Sequence, residues 1–154
     1  MEPVSLILHD IRSSENVGSM FRTADAAGVS KIYLTGYTPA PLDRFGRKNA
    51  KLAKAALGAE EFVPWEKRND IFTLISELKT QNVRIVAVEQ DSAAVPYMEL
   101  RRGGSTAFIL GNEVDGVPRA VLDVADAIVE IPMHGKKESL NVAVAAGIIL
   151  FDVQ

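Results

Sequence analysis

Short runs of apolar, mostly branched residues alternate along the chain with stretches whose apolar residues recur every three or four positions. The runs predict buried strands, and the spaced pattern predicts helices. The predicted strands are Val4–His9, Lys31–Leu34, Glu61–Val63, Val83–Val88, Thr106–Leu110 and Ala127–Ile131. The predicted helices run from a cap at Ser13 or Ser14 to Gly28, then over Lys48–Leu57 closed by Gly58, Asp70–Thr80, Pro118–Val124 and Ser139–Asp152. This alternation predicts an α/β fold in which helices cover both faces of a mostly parallel sheet.

The last predicted helix is apolar on every side, since each residue from Val142 to Phe151 is apolar or glycine. A surface helix normally carries a polar stripe, so this one is expected to be buried all round. Two arrangements satisfy that expectation. Either the helix is wedged centrally against the sheet, or it lays one face on the sheet and another on a partner subunit.

Composition narrows the class of protein. The length of 154 residues suits a single domain over residues 1–154, and 47% apolar with 24% charged residues excludes a disordered or fibrous chain. The absence of cysteine excludes a disulfide framework, a thiolate metal site and a cysteine nucleophile. The longest apolar run, ten residues, is too short to span a bilayer. The N-terminus lacks the basic start of a signal peptide, so we expect a cytoplasmic protein. With only His9 and His134 as histidines, we expect no metal site.

Three segments combine glycines with polar residues near the carboxyl ends of predicted strands, where α/β folds gather ligands. The first begins at Asn16 and carries Arg22 on the polar side of the first helix, where Arg22 alone would be an ordinary surface residue. The second is the glycine-bounded loop after Thr106–Leu110, which alone would be a turn. The third offers Ser139 as a helix cap and places Asn141 in the first turn of the apolar helix. A polar side chain entering a buried helix needs partners or a ligand.

Together, in this order and spacing, the segments resemble the three signature motifs of the SpoU-type (TrmH-like) RNA 2′-O-ribose methyltransferases of the SPOUT superfamily. The first family motif matches at Asn16, Gly18, Arg22, Thr23, Ala24 and Gly28. The second matches at Leu110, Gly111, Asn112, Glu113 and Gly116, and the third from Ile131 through Ala145. The resemblance extends over nearly the whole chain. We therefore expect the catalytic domain alone, without an appended RNA-binding domain.

The resemblance implies a sheet whose C-terminal part forms a deep trefoil knot, S-adenosylmethionine as cofactor, and methylation of a ribose 2′-hydroxyl in tRNA or rRNA. It also implies a homodimer, which agrees with a partner-facing C-terminal helix. The cofactor-binding residues implied by the resemblance are Val88, Glu89, Leu110, Gly111, Asn112, Ile131, Met133, Ser139 and Leu140.

The same resemblance implies catalytic roles. Arg22 matches the family's catalytic arginine, which is proposed to act as a base or to stabilise the developing alkoxide. Because free arginine stays protonated below about pH 12, the electrostatic role is the better explanation, with Arg22 gripping the adjacent phosphate and the forming oxyanion. The residues expected to position Arg22, the ribose and the cofactor are Asn16, Glu113, Ser139 and Asn141.

The net charge of −3 by itself disfavours a nucleic-acid partner, but the charges are unevenly placed. One eleven-residue stretch holds five basic residues and no acid, namely Arg44, Arg47, Lys48, Lys51 and Lys54. Three of them, Arg47, Lys51 and Lys54, fall on one stripe of the predicted second helix. The stripe is either a solvated face or a phosphate-tracking surface extended by Arg12, and its place beside the first motif favours RNA binding.

Two other functions remain open from the sequence. One is a knotted domain that binds RNA or the cofactor without methylating, although the intact motif residues argue against a decayed site. The other is an unrelated doubly wound domain for a different small ligand. The glycine motifs of dinucleotide, P-loop and serine-hydrolase sites do not occur.

Overall fold

The computed structural model describes residues 2–153, and its strands form one seven-stranded sheet. The strands are β1 Val4–His9, β2 Lys31–Thr35, β3 Trp65–Arg68, β4 Arg84–Val88, β5 Val95–Pro96, β6 Thr106–Leu110 and β7 Ala127–Glu130. The α-helices are α1 Ser14–Ala27, α2 Ala50–Ala56, α3 Ile71–Thr80, α4 Arg119–Leu122 and α5 Val142–Asp152, with 3-10 turns at Ala59–Glu61 and Tyr97–Glu99. Neighbouring strands are parallel throughout, in the order β3-β2-β1-β6-β4-β7-β5. The predicted α/β fold is confirmed.

Alternate residues of the central strands face two helical layers. In β1, Leu6 and Leu8 point into a core shared with α1, α2 and α5, whereas Ile7 points into a core shared with α3 and α4. In β6, Phe108 points into the first of these cores and Ile109 points into the second. Both faces of these strands are therefore covered, which explains why they appear in the sequence as unbroken apolar runs with the predicted bounds.

The strand predicted at Glu61–Val63 is wrong. Glu61 is the last residue of the 3-10 turn Ala59–Glu61, and the Phe62 side chain that follows it is 74% exposed. The third strand is β3, which pairs with β2 at one edge of the sheet. Three of its four residues are charged, and the Glu66 carboxylate forms an ion pair with the Lys31 ammonium group at 2.7 Å. An edge strand of this kind has no apolar run from which it could be predicted. The two-residue β5 at the other edge was not predicted either, because it is too short to show a pattern.

The second helix begins two residues later than predicted. It starts at Ala50 rather than Lys48, because the Asn49 side chain accepts a hydrogen bond from the Leu52 N–H at 3.1 Å and caps it. The helix ends at Leu57, which adopts a left-handed conformation (φ 50°), and Gly58 follows it. Arg47 therefore lies in the preceding loop, and the predicted stripe with Lys51 and Lys54 does not exist on one helix face.

The last helix also begins later than predicted, at Val142 instead of Ser139. Asn141 is its N-cap, with an extended backbone and a side-chain oxygen that accepts hydrogen bonds from Ala143 N and Val144 N at 2.8 and 3.3 Å. Ser139 as the cap was wrong. Asparagine is as good a cap as serine and a poor helix former, which explains its place outside the first turn.

The apolar helix α5 is buried on one side only within this chain. Ala146, Ile149 and Leu150 pack into the core beside α1, but Val144 and Phe151 are 51% and 57% exposed. A central helix enclosed by the sheet is therefore the wrong interpretation. The helix instead presents an apolar face outward, as expected for the alternative in which a partner covers it.

Candidate active site

The loops that leave β4, β6 and β7 at their carboxyl ends enclose a cavity of about 490 Å³. A segment just before α5 closes it from a fourth side. Because parallel strands bring their carboxyl ends to one edge of a sheet, three separate parts of the chain meet there. The cavity is lined by Asn16, Val88, Glu89, Gln90, Leu110, Gly111, Asn112, Glu113, Val114, Asp115, Gly116, Glu130, Ile131, Met133, Ser139, Leu140, Asn141, Val142 and Ala145.

The buried side chain of Asn112 shapes the loop after β6. Its oxygen accepts hydrogen bonds from the N–H groups of Val114 and Asp115 at 2.8 and 2.9 Å. Its amide donates to the Asp10 carbonyl at 2.9 Å and to the Tyr37 hydroxyl at 2.8 Å. All the polar capacity of Asn112 is thus used within the protein, so its contribution to a ligand is to hold the loop in place.

Two glycines allow this loop to fold back on itself. A Cβ at Gly111 would lie 2.5 Å from the backbone carbon of Gly116, closer than any real contact. Gly116 has a φ of +69°, and a Cβ there would lie 2.0 Å from the Glu89 carboxylate. That carboxylate accepts hydrogen bonds from Val117 N at 2.8 Å and Gln90 N at 2.9 Å. The loops after β4 and β6 are consequently locked together on one side of the cavity.

A chain of side-chain hydrogen bonds joins the three motif segments at the rim. The Asn16 amide donates to Glu113 at 3.1 Å, and the Asn141 amide donates to the Asn16 oxygen at 3.2 Å. Glu113 also accepts from the backbone N–H groups of Arg12 and Ser13 at 2.8 and 2.9 Å. Burial alone would raise the pKa of Glu113, but these hydrogen bonds outweigh it and hold the pKa below its ordinary value. Glu113 is therefore an ionised hydrogen-bond acceptor at neutral pH.

The charge of the lining is one-sided. It includes four acidic residues, Glu89, Glu113, Asp115 and Glu130, and no lysine, arginine or histidine of the described chain. Such a site attracts a cationic ligand and repels a phosphate-rich one. Apolar side chains, including Val88, Leu110 and Ile131, also line the cavity.

The structure brings most of the predicted site residues together. All nine predicted cofactor-binding residues line the cavity, as do Asn16, Glu113 and Asn141. Arg22 does not line it. Arg22 is exposed on α1, six residues after Asn16 and hence about 9 Å farther along the helix axis. Its neighbour Thr23 faces Gly147 of α5, where an added Cβ would lie 3.7 Å from the threonine methyl, so Arg22 sits close to the contact between α1 and α5.

Several lining residues were not predicted as site residues. They are Gln90, Val114, Asp115, Gly116, Glu130, Val142 and Ala145. Six of them lie within three positions of a predicted one, and Ala145 lies four positions after Asn141, so the position of the strand ends was the available signal for most of them. What the sequence could not show was how far each loop curls over the cavity.

The predicted RNA-binding residues occupy a different surface, and several are paired with acids. Arg47 forms an ion pair with Asp43 at 2.7 Å, and Lys48 lies 3.8 Å from Glu61. The absence of acids from the sequence stretch that holds Lys48 therefore does not leave this lysine without an acidic neighbour in the fold. The remaining members of the set, all exposed, are Arg12, Arg44, Lys51 and Lys54.

Within residues 2–153 no helix is both long enough and apolar enough to cross a membrane. In the same part of the chain, no three His, Asp or Glu side chains cluster in a way that could hold a metal ion.

Comparison with known proteins gives matches along almost the full chain. The model of the SpoU rRNA Methylase family matches residues 3–151. The chain is 36% identical over 149 residues to the 23S rRNA (guanosine(2553)-2′-O)-methyltransferase of Bacillus subtilis strain 168, covering 97% of this chain and 57% of that protein. The chain thus spans little more than half the length of this curated relative.

Solved structures show the same fold. The AdoMet-bound rRNA methyltransferase from Sinorhizobium meliloti superposes with a TM-score of 0.89 at 30% identity, covering 98% of this chain and 55% of that one. A structure described as giving insights into the 2-OH methylation of C/U34 on tRNA superposes with a TM-score of 0.83 at 27% identity. In that case 99% of this chain and 94% of the other are covered, so the two chains are similar in length.

Proposed function

The chain belongs to the SpoU rRNA methylase family, and from this premise we propose that it methylates a ribose 2′-hydroxyl in tRNA or rRNA with S-adenosylmethionine. The observation that carries the proposal is the hydrogen-bonded chain from Asn141 through Asn16 to Glu113 at the rim of the acidic cavity. It links three distant segments at the place where a ribose would meet the cofactor. Because the substrate class follows the family, we propose a cytoplasmic site of action.

The cavity fits the proposed cofactor in size and in charge. Its volume of about 490 Å³ lies in the range of small-ligand sites, about 300–1,000 Å³. Its acids suit a sulfonium and an ammonium group, and its apolar walls suit an adenine ring. The close approach of Gly111 to Gly116 leaves backbone groups at the surface of the cavity, which supports holding the cofactor through the main chain of the loops after β4, β6 and β7.

The protein's own part in the reaction is positional and electrostatic. When bound, S-adenosylmethionine supplies a methyl group on a positively charged sulfur. Accepting that methyl group would require the ribose 2′-hydroxyl to release its proton to solvent, so that negative charge would develop on the 2′-oxygen. The guanidinium of Arg22 stabilises that charge and binds the neighbouring phosphate. Asn16, Glu113 and Asn141 hold the first turn of α1 against the cavity, and Ser139 contributes a hydroxyl at its rim.

The exposed position of Arg22 supports a homodimer. Arg22 lies outside its own cavity and follows directly before Thr23, which faces Gly147 of α5. The same helix carries an outward apolar face on which Val144 and Phe151 are each more than half exposed. An apolar helix face of this kind is typical of a subunit interface. We propose that two copies pair through α5 and α1, so that the Arg22 of one copy serves the cavity of the other.

The proposal also includes the deep trefoil knot that the resemblance implies. In the sheet, β7 lies on the far side of β4 from β1. The helix α5, which follows β7 in the chain, nevertheless packs on α1. Residues 131–141 make this connection and share the cavity with the loops after β4 and β6, which supports threading through them, although the general rule for folds is against it. A crystal structure in which the density of residues 131–141 passes outside these loops would contradict the knot.

The RNA is proposed to approach over Arg12 and the basic segment around α2, namely Arg44, Arg47, Lys48, Lys51 and Lys54.

The experiment that tests the function combines two measurements on the purified protein. Calorimetry with S-adenosylmethionine measures cofactor binding. Incubation with cofactor and total cellular RNA, followed by mass-spectrometric mapping of ribose methylation, identifies the product nucleotide. We expect binding and a single class of 2′-O-methylated product. Cofactor binding without methylation of any tRNA or rRNA would favour the binding-domain alternative.

A further inference from the structure

A second concave surface, which we call the basic groove, lies between the chain after β2 and the edge strand β3. Its volume is about 750 Å³. It is lined by Pro39, Ala40, Leu42, Asp43, Arg44, Arg47, Lys48, Asn49, Trp65 and Lys67. Four of these residues are cationic and one is acidic, the reverse of the first cavity. The basic groove therefore suits an anionic ligand that also carries apolar surface.

One wall of the basic groove is a small hairpin. Leu42 and Lys48 form an antiparallel bridge, and the Asp43 N–H donates to the Arg47 carbonyl at 2.9 Å. The Asp43 carboxylate accepts hydrogen bonds from the N–H groups of Phe45 and Arg47 at 2.8 and 2.9 Å. These bonds fix the wall in one conformation, so a ligand would meet a preorganised surface.

The hairpin tip and the opposite wall carry aromatic rings. Phe45 is 67% exposed, with the guanidinium groups of Arg44 and Arg47 at 4.8 and 5.0 Å from its ring centroid. Across the groove, Trp65 packs one part of its indole against the core and lines the groove with another. Within residues 2–153, no hydrogen bond uses its indole N–H. An aromatic wall beside cationic side chains and this indole N–H is typical of sites that take up unpaired nucleobases.

The basic groove is tied to the acidic cavity by residues 36–38. Lys67 donates from its ammonium group to the carbonyls of Gly36 and Thr38 at 2.7 and 2.5 Å. Between these two positions, the Tyr37 hydroxyl receives the 2.8 Å hydrogen bond from Asn112 in the cavity lining. One short segment thus joins the edge of the groove to the edge of the cavity.

We propose that the basic groove binds one unpaired nucleotide of the substrate RNA, close in sequence to the nucleotide that is methylated. Its base packs on Trp65, and its phosphate is held by Arg44 and Lys48. This site rests on the proposed function, since it presupposes an RNA substrate at the neighbouring cavity. A concave groove with an aromatic wall admits a base that has left a helix, whereas a duplex presents its phosphates on the outside of a rod. The proposed ligand is accordingly single-stranded.

Trp65 is the only tryptophan of the chain, so its fluorescence reports on the groove directly. The experiment titrates the whole protein with a short unpaired RNA oligonucleotide and, separately, with a duplex of the same length. We expect saturable quenching of Trp65 by the unpaired strand and none by the duplex. Arg44→Ala should weaken binding of the unpaired strand about tenfold, which corresponds to about 1.4 kcal/mol. Arg101→Ala removes the same charge at the amino-terminal edge of the sheet and should leave the affinity unchanged.

The outcomes separate this site from the proposed function. If fluorescence anisotropy shows the RNA binding while Trp65 emission stays constant, or if the duplex quenches equally, the nucleotide site is wrong, even when methylation is normal. If Trp65 is quenched and the Arg44→Ala effect is present but no RNA is methylated, the site stands and the proposed function fails. As a second variant, Trp65→Phe keeps an aromatic wall and should bind within about threefold of the wild type, whereas Trp65→Leu should lose about tenfold.

Discussion

The Glu113 carboxylate accepts a hydrogen bond of 3.1 Å from the Asn16 amide, across 97 positions of sequence. Two more hydrogen bonds reach the same carboxylate from the backbone of Arg12 and Ser13. Those N–H groups lie at the entry to α1, where an anionic acceptor is favoured. Glu113 therefore fixes the first turn of α1, and with it Asn16, to the loop after β6.

This geometry predicts a pH-dependent contribution of Glu113 to stability. Its pKa is lower in the folded than in the unfolded chain, where it is about 4.3, so its contribution is complete above that pH and is lost as the pH falls through the folded value. Glu113→Gln should lower the free energy of unfolding by about 1–3 kcal/mol at neutral pH. The difference from wild type should shrink below about pH 4. Urea unfolding at a series of pH values measures it.

Glu99→Gln is the matched control, because Glu99 is an exposed acid at the end of a 3-10 turn. It should change the free energy of unfolding by less than about 0.5 kcal/mol. If Glu113→Gln behaves like this control at neutral pH, the carboxylate does not hold α1 in place.

Asn141 and Ser139 provide a second test, in which stability and activity separate. Asn141→Ala removes the cap of α5 and should cost about 1 kcal/mol of unfolding free energy. Asn141→Ser keeps a capping oxygen but loses the amide that reaches Asn16, so it should retain stability and lose turnover.

Ser139→Ala should leave the melting temperature unchanged. A drop in melting temperature for Ser139→Ala equal to that for Asn141→Ala would restore Ser139 as the cap. Calorimetric melting and methylation rates measure both effects.

Much of the fold followed from periodicity, since β1 and β6 are buried on both faces and their apolar runs ended where the strands end. Periodicity failed at β3, where an edge strand made of Trp65 and charged residues has only one covered side. The caps at Asn49 and Asn141 were missed for a related reason. Several residues in each segment could cap a helix, and backbone angles rather than residue type decide among them.

The cavity was located by motif resemblance, which named residues from three distant segments. Its internal hydrogen bonds were beyond the sequence. The sequence pattern does not show that the Asn112 amide donates hydrogen bonds to Asp10 and Tyr37. It also does not show that Asn16 lies between Glu113 and Asn141. Such partners depend on how the loops pack, and loop packing is set by close contacts such as that between Gly111 and Gly116.

Gly111 provides a test of the cavity with a control in the same chain. A Cβ at Gly111 would meet backbone atoms of Gly116 at 2.5 and 2.6 Å, and backbone moves only with the whole loop. Gly111→Ala should cost about 1–3 kcal/mol of unfolding free energy and displace the loop after β6. Calorimetry should show S-adenosylmethionine affinity falling about tenfold or more. Gly135→Ala is the control, because no heavy atom lies within 4 Å of its added Cβ, and it should match wild type in both measurements. Equal affinity in the two variants would remove the loop after β6 from the cofactor site.

The outward face of α5 predicts the oligomeric state. Phe151→Glu and Val144→Glu place a charge on apolar positions that are 57% and 51% exposed in one chain. If a partner covers them, the charge must be buried without an ion-pair partner, and the dimer Kd should rise about hundredfold. Sedimentation over a concentration series measures this. Phe62→Glu, on a side chain 74% exposed outside α5, should leave the dimer intact. A wild type that sediments as a monomer at all concentrations would contradict the interface.

The position of Arg22 predicts activity shared between two copies. Arg22 is exposed and outside its own cavity, so Arg22→Ala should change the free energy of unfolding by less than about 0.5 kcal/mol and leave cofactor affinity unchanged. Turnover should fall about 100- to 1,000-fold, the usual loss for a group that stabilises an oxyanion. At a cofactor concentration well below its own Kd, Gly111→Ala should also lose turnover, because the displaced loop after β6 weakens cofactor binding. Mixing the two inactive variants should restore turnover, because each mixed dimer holds one site with an intact cavity and the Arg22 of its partner. Mixed dimers that form and stay inactive would place Arg22 in the site of its own chain.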